Sequence, residues 1–248
     1  MAAIPPADYV PSPQLLAGRH ILITGAGDGL GRAAALACAA HGATVILLGR
    51  TVRKLEAVYD EIERAGYPQP AIYPLHLGGA SWKDYADLAD AIEREFGRLD
   101  GLLHCAAHFK AFMPMTDIDP QEWIETLQVN LTAPFALTRQ LLPLLQASAD
   151  AAVVFVADRH GRKAHAYDGI YGISKAAVEQ MMRIWAQELD SHPQLRLNSF
   201  DPGPLRTALR LKGYPGEKPT QVPPPETAVP ALLWLLGPDS RGISGRAF

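Results

Sequence analysis

Residues 20–31 read HILITGAGDGLG, and RAAALACAAHG follows at 32–42. The run at 20–24 is short, apolar and β-prone, while the alanine-rich stretch has the composition of a helix. Between them stand Gly25, Gly27, Gly29 and Gly31. A turn without side chains lets backbone N–H groups and a helix N-terminus approach a pyrophosphate, so the stretch predicts a dinucleotide-binding turn. Leu30 takes the place of the third glycine in G-x-G-x-x-G, and an ordinary glycine-rich βα turn is the plainer alternative.

Alternation continues outward from this turn and favours the nucleotide. TVILLG (44–49), AIYPLHL (71–77), LDGLLHCA (99–106), AAVVFVA (151–157) and LRLNSF (195–200) are predicted strands. Helical periodicity fills the gaps. Leu55, Val58 and Ile62 share one face; Trp82, Tyr85, Leu88, Ile92 and Phe96 share another and read as core. A longer helical pattern runs from Pro120 to about Leu145. Near-continuous apolar strands between helices imply an α/β fold, a doubly wound Rossmann-type parallel sheet with helices on both faces. One domain over 1–248 is expected, with an N-terminal extension at 1–17. The proline- and glycine-rich segment 212–226 reads as a mobile substrate flap.

The 248 residues are 48% apolar and 20% charged, enough for a sizeable core, and the net charge of −3 argues against general nucleic-acid or anionic-membrane binding. No apolar run is long enough to cross a bilayer. The first 18 residues lack the pattern of a secretion signal, so Cys38 and Cys105 are expected to be free thiols in the cytoplasm.

The end of the second strand is expected to select the nucleotide. A carboxylate there would accept from the ribose diol of NAD, whereas an arginine would pair with the 2′-phosphate of NADP. The residues are Gly49-Arg50-Thr51, with no acid, so NADP is expected and NAD is the alternative. Asp28, inside the glycine turn, points the other way, because a carboxylate repels a 2′-phosphate.

Four motifs in order resemble the short-chain dehydrogenase/reductase family. They are TGxxxGxG as Thr24, Gly25, Gly29 and Gly31; Asn130 in a VN step; YxxxK as Tyr171 and Lys175; and Pro202-Gly203 with Thr207. The resemblance covers the chain from about residue 18 to its end. It implies an NAD(P)-dependent oxidoreductase acting on a small carbonyl or alcohol, or an imine or amine. Tyr171 would be the acid/base, Lys175 would tune it and hold the nicotinamide ribose, and Asn130 would join the proton relay. Thr207 would bond the cofactor. Helices near 120–145 and 169–189 would form homodimer or homotetramer contacts.

Physical chemistry agrees with part of this. Residues four apart share a helix face, and an ammonium beside a phenol lowers its pKa. Pro134 lacks an N–H for the Asn130 carbonyl, which predicts a kink there.

The pattern also breaks. The family's serine stands thirteen residues before the tyrosine, where this chain has Asp158. A carboxylate accepts where a serine donates, and its charge opposes an oxyanion. Asp158 is therefore either protonated, facing a cationic or hydrogen-bond-donating substrate, or a sign that carbonyl reduction is lost. A fourth possibility is that it has turned out of the site to pair with Arg159, His160 or Arg162. His76 and Leu77 stand at the end of the third predicted strand, where the family has an adenine-binding aspartate; Cys105 and Ala106 fall in its NNAG step. The rival function is a catalytically silent dinucleotide sensor or structural subunit. His104, Cys105 and His108 are too isolated to predict a metal site. The run DRHGRKAH (158–165) either selects an acidic substrate or is solvated.

Overall fold

Ile21 and Ile23 pack to one side of the first strand and Leu22 to the other, and that alternation divides the molecule into two cores. The computed structural model describes residues 9–248. In order they form β1 (His20–Thr24), α1 (Gly29–Ala40), β2 (Thr44–Gly49), α2 (Val52–Arg64), β3 (Ala71–Pro74) and α3 (Trp82–Phe96). Next come β4 (Gly101–His104), α4 (Pro120–Leu127), α5 (Ala133–Gln146), β5 (Ala151–Val156) and α6 (Arg159–Arg162). The chain ends with α7 (Gly169–Glu188), β6 (Leu195–Phe200), α8 (Ala208–Gly213) and α9 (Val229–Leu236).

All five strand pairings are parallel, in the order β3-β2-β1-β4-β5-β6. Helices α1, α2 and α9 cover one face, and α3, α5 and α7 the other. The chain winds outward from β1 to β3, then returns to β4 beside β1. That reversal leaves a crevice beyond the carboxyl ends of the strands, where such sheets bind ligands. The doubly wound fold expected from the sequence is the one observed.

Three expectations need correction. The third strand ends at Pro74 rather than 77: its partner β2 ends at Gly49, whose carbonyl takes the last bond of the ladder from the Leu75 N–H at 3.0 Å. The fourth ends at His104 rather than 106: the Cys105 and Ala106 N–H groups both donate to Thr24 Oγ1, at 3.0 Å, and turn the chain out of the sheet. Trp82, expected in the core, is half exposed and meets Phe135 edge-on.

Of the extension at 1–17, residues 1–8 lie outside the described residues. Its remainder is anchored at Leu15 and Leu16, both buried, and by the Tyr9 hydroxyl, which donates to Asp239. Among the described residues, no helix is long and apolar enough to cross a membrane.

Candidate active site

The crevice is a cavity of about 490 Å³. One end is the glycine turn. Gly25 has φ of 70°, and a Cβ on Gly31 would stand 2.3 Å from the Gly25 carbonyl oxygen. Side chains are excluded there, and the backbone lies open to whatever enters. Asp28 caps α1 by accepting from the Gly29 N–H at 2.8 Å, and its other oxygen pairs with Lys54 Nζ. That pair corrects the expected conflict with a 2′-phosphate. Lys54 neutralises the carboxylate and holds its pKa below the usual range, and Arg50 lines the same end of the cavity.

Every residue expected to bind cofactor borders this cavity: the turn from Gly25 to Gly31 (Gly27, Gly29 and Leu30 included), Arg50, His76 and Leu77, Cys105 and Ala106, Tyr171 and Lys175, and Pro202, Gly203 and Thr207. Thr207 also caps α8, accepting from the Arg210 N–H at 3.1 Å. The donor set and the side-chain-free cradle fit a dinucleotide.

At the other end, α7 carries Tyr171 and Lys175 on one face, both buried. The Tyr171 hydroxyl donates to Asp158 Oδ2 at 3.0 Å, and Lys175 Nζ donates to the Val156 carbonyl at 2.7 Å. Expectation is reversed here. Burial, reinforced by the Asp158 carboxylate, pushes the Tyr171 phenol well above its ordinary range, and burial lowers the Lys175 ammonium. The lysine lies 5.7 Å from the centre of the phenol ring and makes no bond to its hydroxyl.

Asp158 has not turned away. Its Oδ1 accepts from the His160 N–H at 3.0 Å, capping α6, which leaves Oδ2 for the tyrosine. Arg162 of the basic run is bonded instead to Glu179 and the Phe248 carbonyl.

Asn130 does not line the cavity. Its amide clamps two segments that do, accepting from the His108 N–H at 2.7 Å and donating to the His108 carbonyl at 2.9 Å and to Ser174 Oγ at 3.0 Å. The kink expected from Pro134 is present as a π turn over Gln128–Thr132, in which the Ala133 N–H reaches back to the Gln128 carbonyl.

Sequence reasoning missed several wall residues. His160 Nδ1 lies 2.7 Å from Asp168 Oδ1, while Nε2 is 3.2 Å from the Tyr214 hydroxyl and 4.0 Å from Asp158 Oδ1. Phe109 and Phe112 complete that wall. The available signal was the spacing Asp158-x-His160, which puts the imidazole back over the carboxylate once the helix is capped. His104, Cys105 and His108 do not converge. His104 is buried against Phe155 and Thr138, whereas His108 faces Glu122 and Glu125, all three offering donor atoms within 4.8 Å of one another.

The short chain dehydrogenase family profile matches residues 19–217. The uncharacterized oxidoreductase YciK of Escherichia coli K12 is 42% identical over 240 residues, 97% of this chain and 94% of that protein. A structure from Pseudomonas syringae assigned to the short chain dehydrogenases is 48% identical with a TM-score of 0.95, covering 97% of each chain. Another from Escherichia coli CFT073, complexed with NADPH, is 42% identical with a TM-score of 0.93, covering 96% of this chain and 98% of that one.

Proposed function

The chain belongs to the short-chain dehydrogenase family, and on that premise we propose that it binds NADP(H), with NAD(H) as the weaker alternative, and moves hydride to or from a small substrate. The substrate is a carbonyl or alcohol, or the corresponding imine or amine. The observation that carries this reading is one cavity with the glycine cradle at one end and the buried Tyr171–Lys175 pair at the other. Its likeness to a relative that holds NADPH supports the nucleotide. These matches favour the oxidoreductase over the catalytically silent binder.

The bound nucleotide would supply the hydride. The chain's own groups do the rest. Arg50 and Lys54 receive the 2′-phosphate, and the α1 N-terminus receives the pyrophosphate. Lys175 holds the ribose. Tyr171 exchanges the proton of an oxygen substrate. Asn130 positions the His108 loop against α7 rather than touching the substrate. Segment 212–226 acts as the flap, its own Tyr214 already reaching His160.

Several finer readings accompany this one. The chain forms a single oxidoreductase domain. Ile124, Phe135, Ile173 and Ile184, exposed on α4, α5 and α7, support a homodimer or homotetramer through those helices. Free Cys38 and Cys105 support a cytoplasmic site.

Calorimetry with NADPH and NADH, followed by a screen of carbonyls, alcohols, imines and amines, tests the core reading. NADPH should bind tighter, with turnover in at least one class. If neither nucleotide binds at millimolar concentration, the reading is wrong. For any carbonyl that reacts, Tyr171→Phe should lower turnover about 10²- to 10⁴-fold with cofactor affinity held within about threefold. Unchanged carbonyl turnover removes Tyr171 from that role.

A further inference from the structure

Resting on that hydride-transfer reading, we infer that the preferred substrate is a flat ring carrying a protonated carbon–nitrogen double bond, or in reverse its cyclic amine, recognised by Asp158 inside an aromatic cage.

Hydrogen-bond polarity at the reacting end is the first ground. The Tyr171 hydroxyl, bonded to Asp158 Oδ2 at 3.0 Å, directs its single proton into the carboxylate. Lys175 Nζ is engaged by the Val156 carbonyl at 2.7 Å. A carbonyl oxygen placed here meets an acceptor where a hydroxyl donor is needed, and its developing negative charge faces a carboxylate. An iminium reverses both terms: its N–H donates to Asp158, and its positive charge lies beside the negative one. Asp158 is held in this orientation by its cap on α6, which uses its other oxygen.

The shape and chemistry of the walls are the second ground. Phe109 stands 4.9 Å from both Tyr171 and Phe112 between ring centroids, and Phe112 lies 5.4 Å from Tyr214 and 5.0 Å from His160. All five rings border the cavity. Aromatic rings attract a nearby cation through their negative faces and stack well on flat rings. The fold already lays a cation on this wall: the Arg210 guanidinium sits 3.8 Å over the Tyr214 ring, balanced by both carboxylate oxygens of Glu217.

The chemistry balances without the tyrosine's proton. In reduction the iminium carbon accepts hydride from the reduced nicotinamide, and the C=N π pair becomes the nitrogen lone pair. Substrate charge falls from positive to neutral, the N–H stays on nitrogen, and the amine takes a further proton from water. A phenol made less acidic by burial and a carboxylate is no handicap to this step.

The test uses 3,4-dihydroisoquinoline and the ring-matched ketone 1-tetralone, each with NADPH, and follows NADPH oxidation. The imine should exceed the ketone in kcat/KM by at least about 100-fold. Asp158→Ser keeps a helix-capping side chain and should lower the imine rate at least tenfold while raising the ketone rate. A second readout needs no turnover. The product amine, 1,2,3,4-tetrahydroisoquinoline, should bind the NADP-loaded protein at least tenfold tighter than it binds Asp158→Asn, with neutral 1-tetralol unaffected. A ketone preference in the native enzyme, or amine binding indifferent to Asp158→Asn, overturns the inference and leaves the hydride-transfer reading standing. Turnover of neither substrate with NADPH bound also overturns it. Failure of NADPH to bind overturns the underlying reading as well.

Discussion

At the nucleotide end of the cleft the left-handed backbone positions are glycines, Gly25, Gly29 and Gly203, whereas the turn at the substrate end joins Gly169 to Tyr167, at φ of 75° the one non-glycine residue with positive φ among the described residues. The two ends are made of different materials. The first is mostly backbone, shaped by what glycine permits. The second is side chains bonded to side chains: Tyr171 to Asp158, His160 to Asp168 and to Tyr214. A backbone site tolerates little change in its glycines yet leaves its cofactor chemistry generic. A side-chain site can be re-specified residue by residue, and here it has been.

The exception at the nucleotide end is charge, and removing it should have the largest effect. Arg50→Ala combined with Lys54→Ala should cut the preference for NADPH over NADH by about 100-fold, since charge-assisted contacts to phosphate contribute roughly 1.5–3 kcal/mol. Lys54→Ala alone should cost more than Arg50→Ala alone, because it also leaves the Asp28 carboxylate unneutralised beside the incoming phosphate. Nucleotide affinities from calorimetry check both statements. Equal losses for NADH and NADPH would mean that neither side chain reads the 2′-phosphate.

The same contrast explains what was legible in the sequence. The alternation of strands and helices, the glycine turn and the YxxxK face follow from periodicity and spacing, because backbone geometry is local. The position of Asp158 was legible too, by counting from Tyr171. What Asp158 does was not, since its direction depends on the cap it forms with His160 and on how α6 packs against α7. Lys54 was hidden for a similar reason. A lysine on the first turn of α2 looks solvated until the Asp28 carboxylate is placed opposite it by the neighbouring strand. The expected lowering of the Tyr171 pKa failed because spacing on a helix says which face a group shares, not which partner takes its proton.

His104, at the end of β4 and buried against Phe155 and Thr138, supplies the next effect. Burial holds its imidazole at a pKa of about 3, while the unfolded chain keeps the ordinary value near 6.5. As pH falls below 6.5 the unfolded state takes the proton first, so folding stability drops progressively until about pH 3. Between pH 7 and pH 5 this one residue should account for about 2 kcal/mol of lost stability. His104→Asn should remove that slope, whatever constant cost the smaller side chain adds. Urea denaturation of both proteins at the two pH values measures it; parallel losses would show that the imidazole is hydrated in the folded state.

The smallest effect concerns Tyr167. A non-glycine residue in the left-handed region costs roughly 1–2 kcal/mol, and glycine relieves that at an entropic cost of about 0.5–1 kcal/mol in the unfolded chain. The ring is 59% exposed and loses little by removal. Tyr167→Gly should therefore stabilise the fold by no more than about 1 kcal/mol. The strain has a structural counterpart: residue 168 follows at once, and Asp168 accepts from the His165 N–H with one oxygen while its other lies at hydrogen-bond distance from His160 Nδ1. Stiffness at 167 fixes the carboxylate that fixes the imidazole beside Asp158. A glycine there frees the turn even as it relieves the chain, so turnover should fall about two- to fivefold as melting temperature rises, the usual exchange between stability and a positioned site. A rise in melting temperature with turnover unchanged would show that the strain does nothing for the substrate end, and that its order comes from α7 alone.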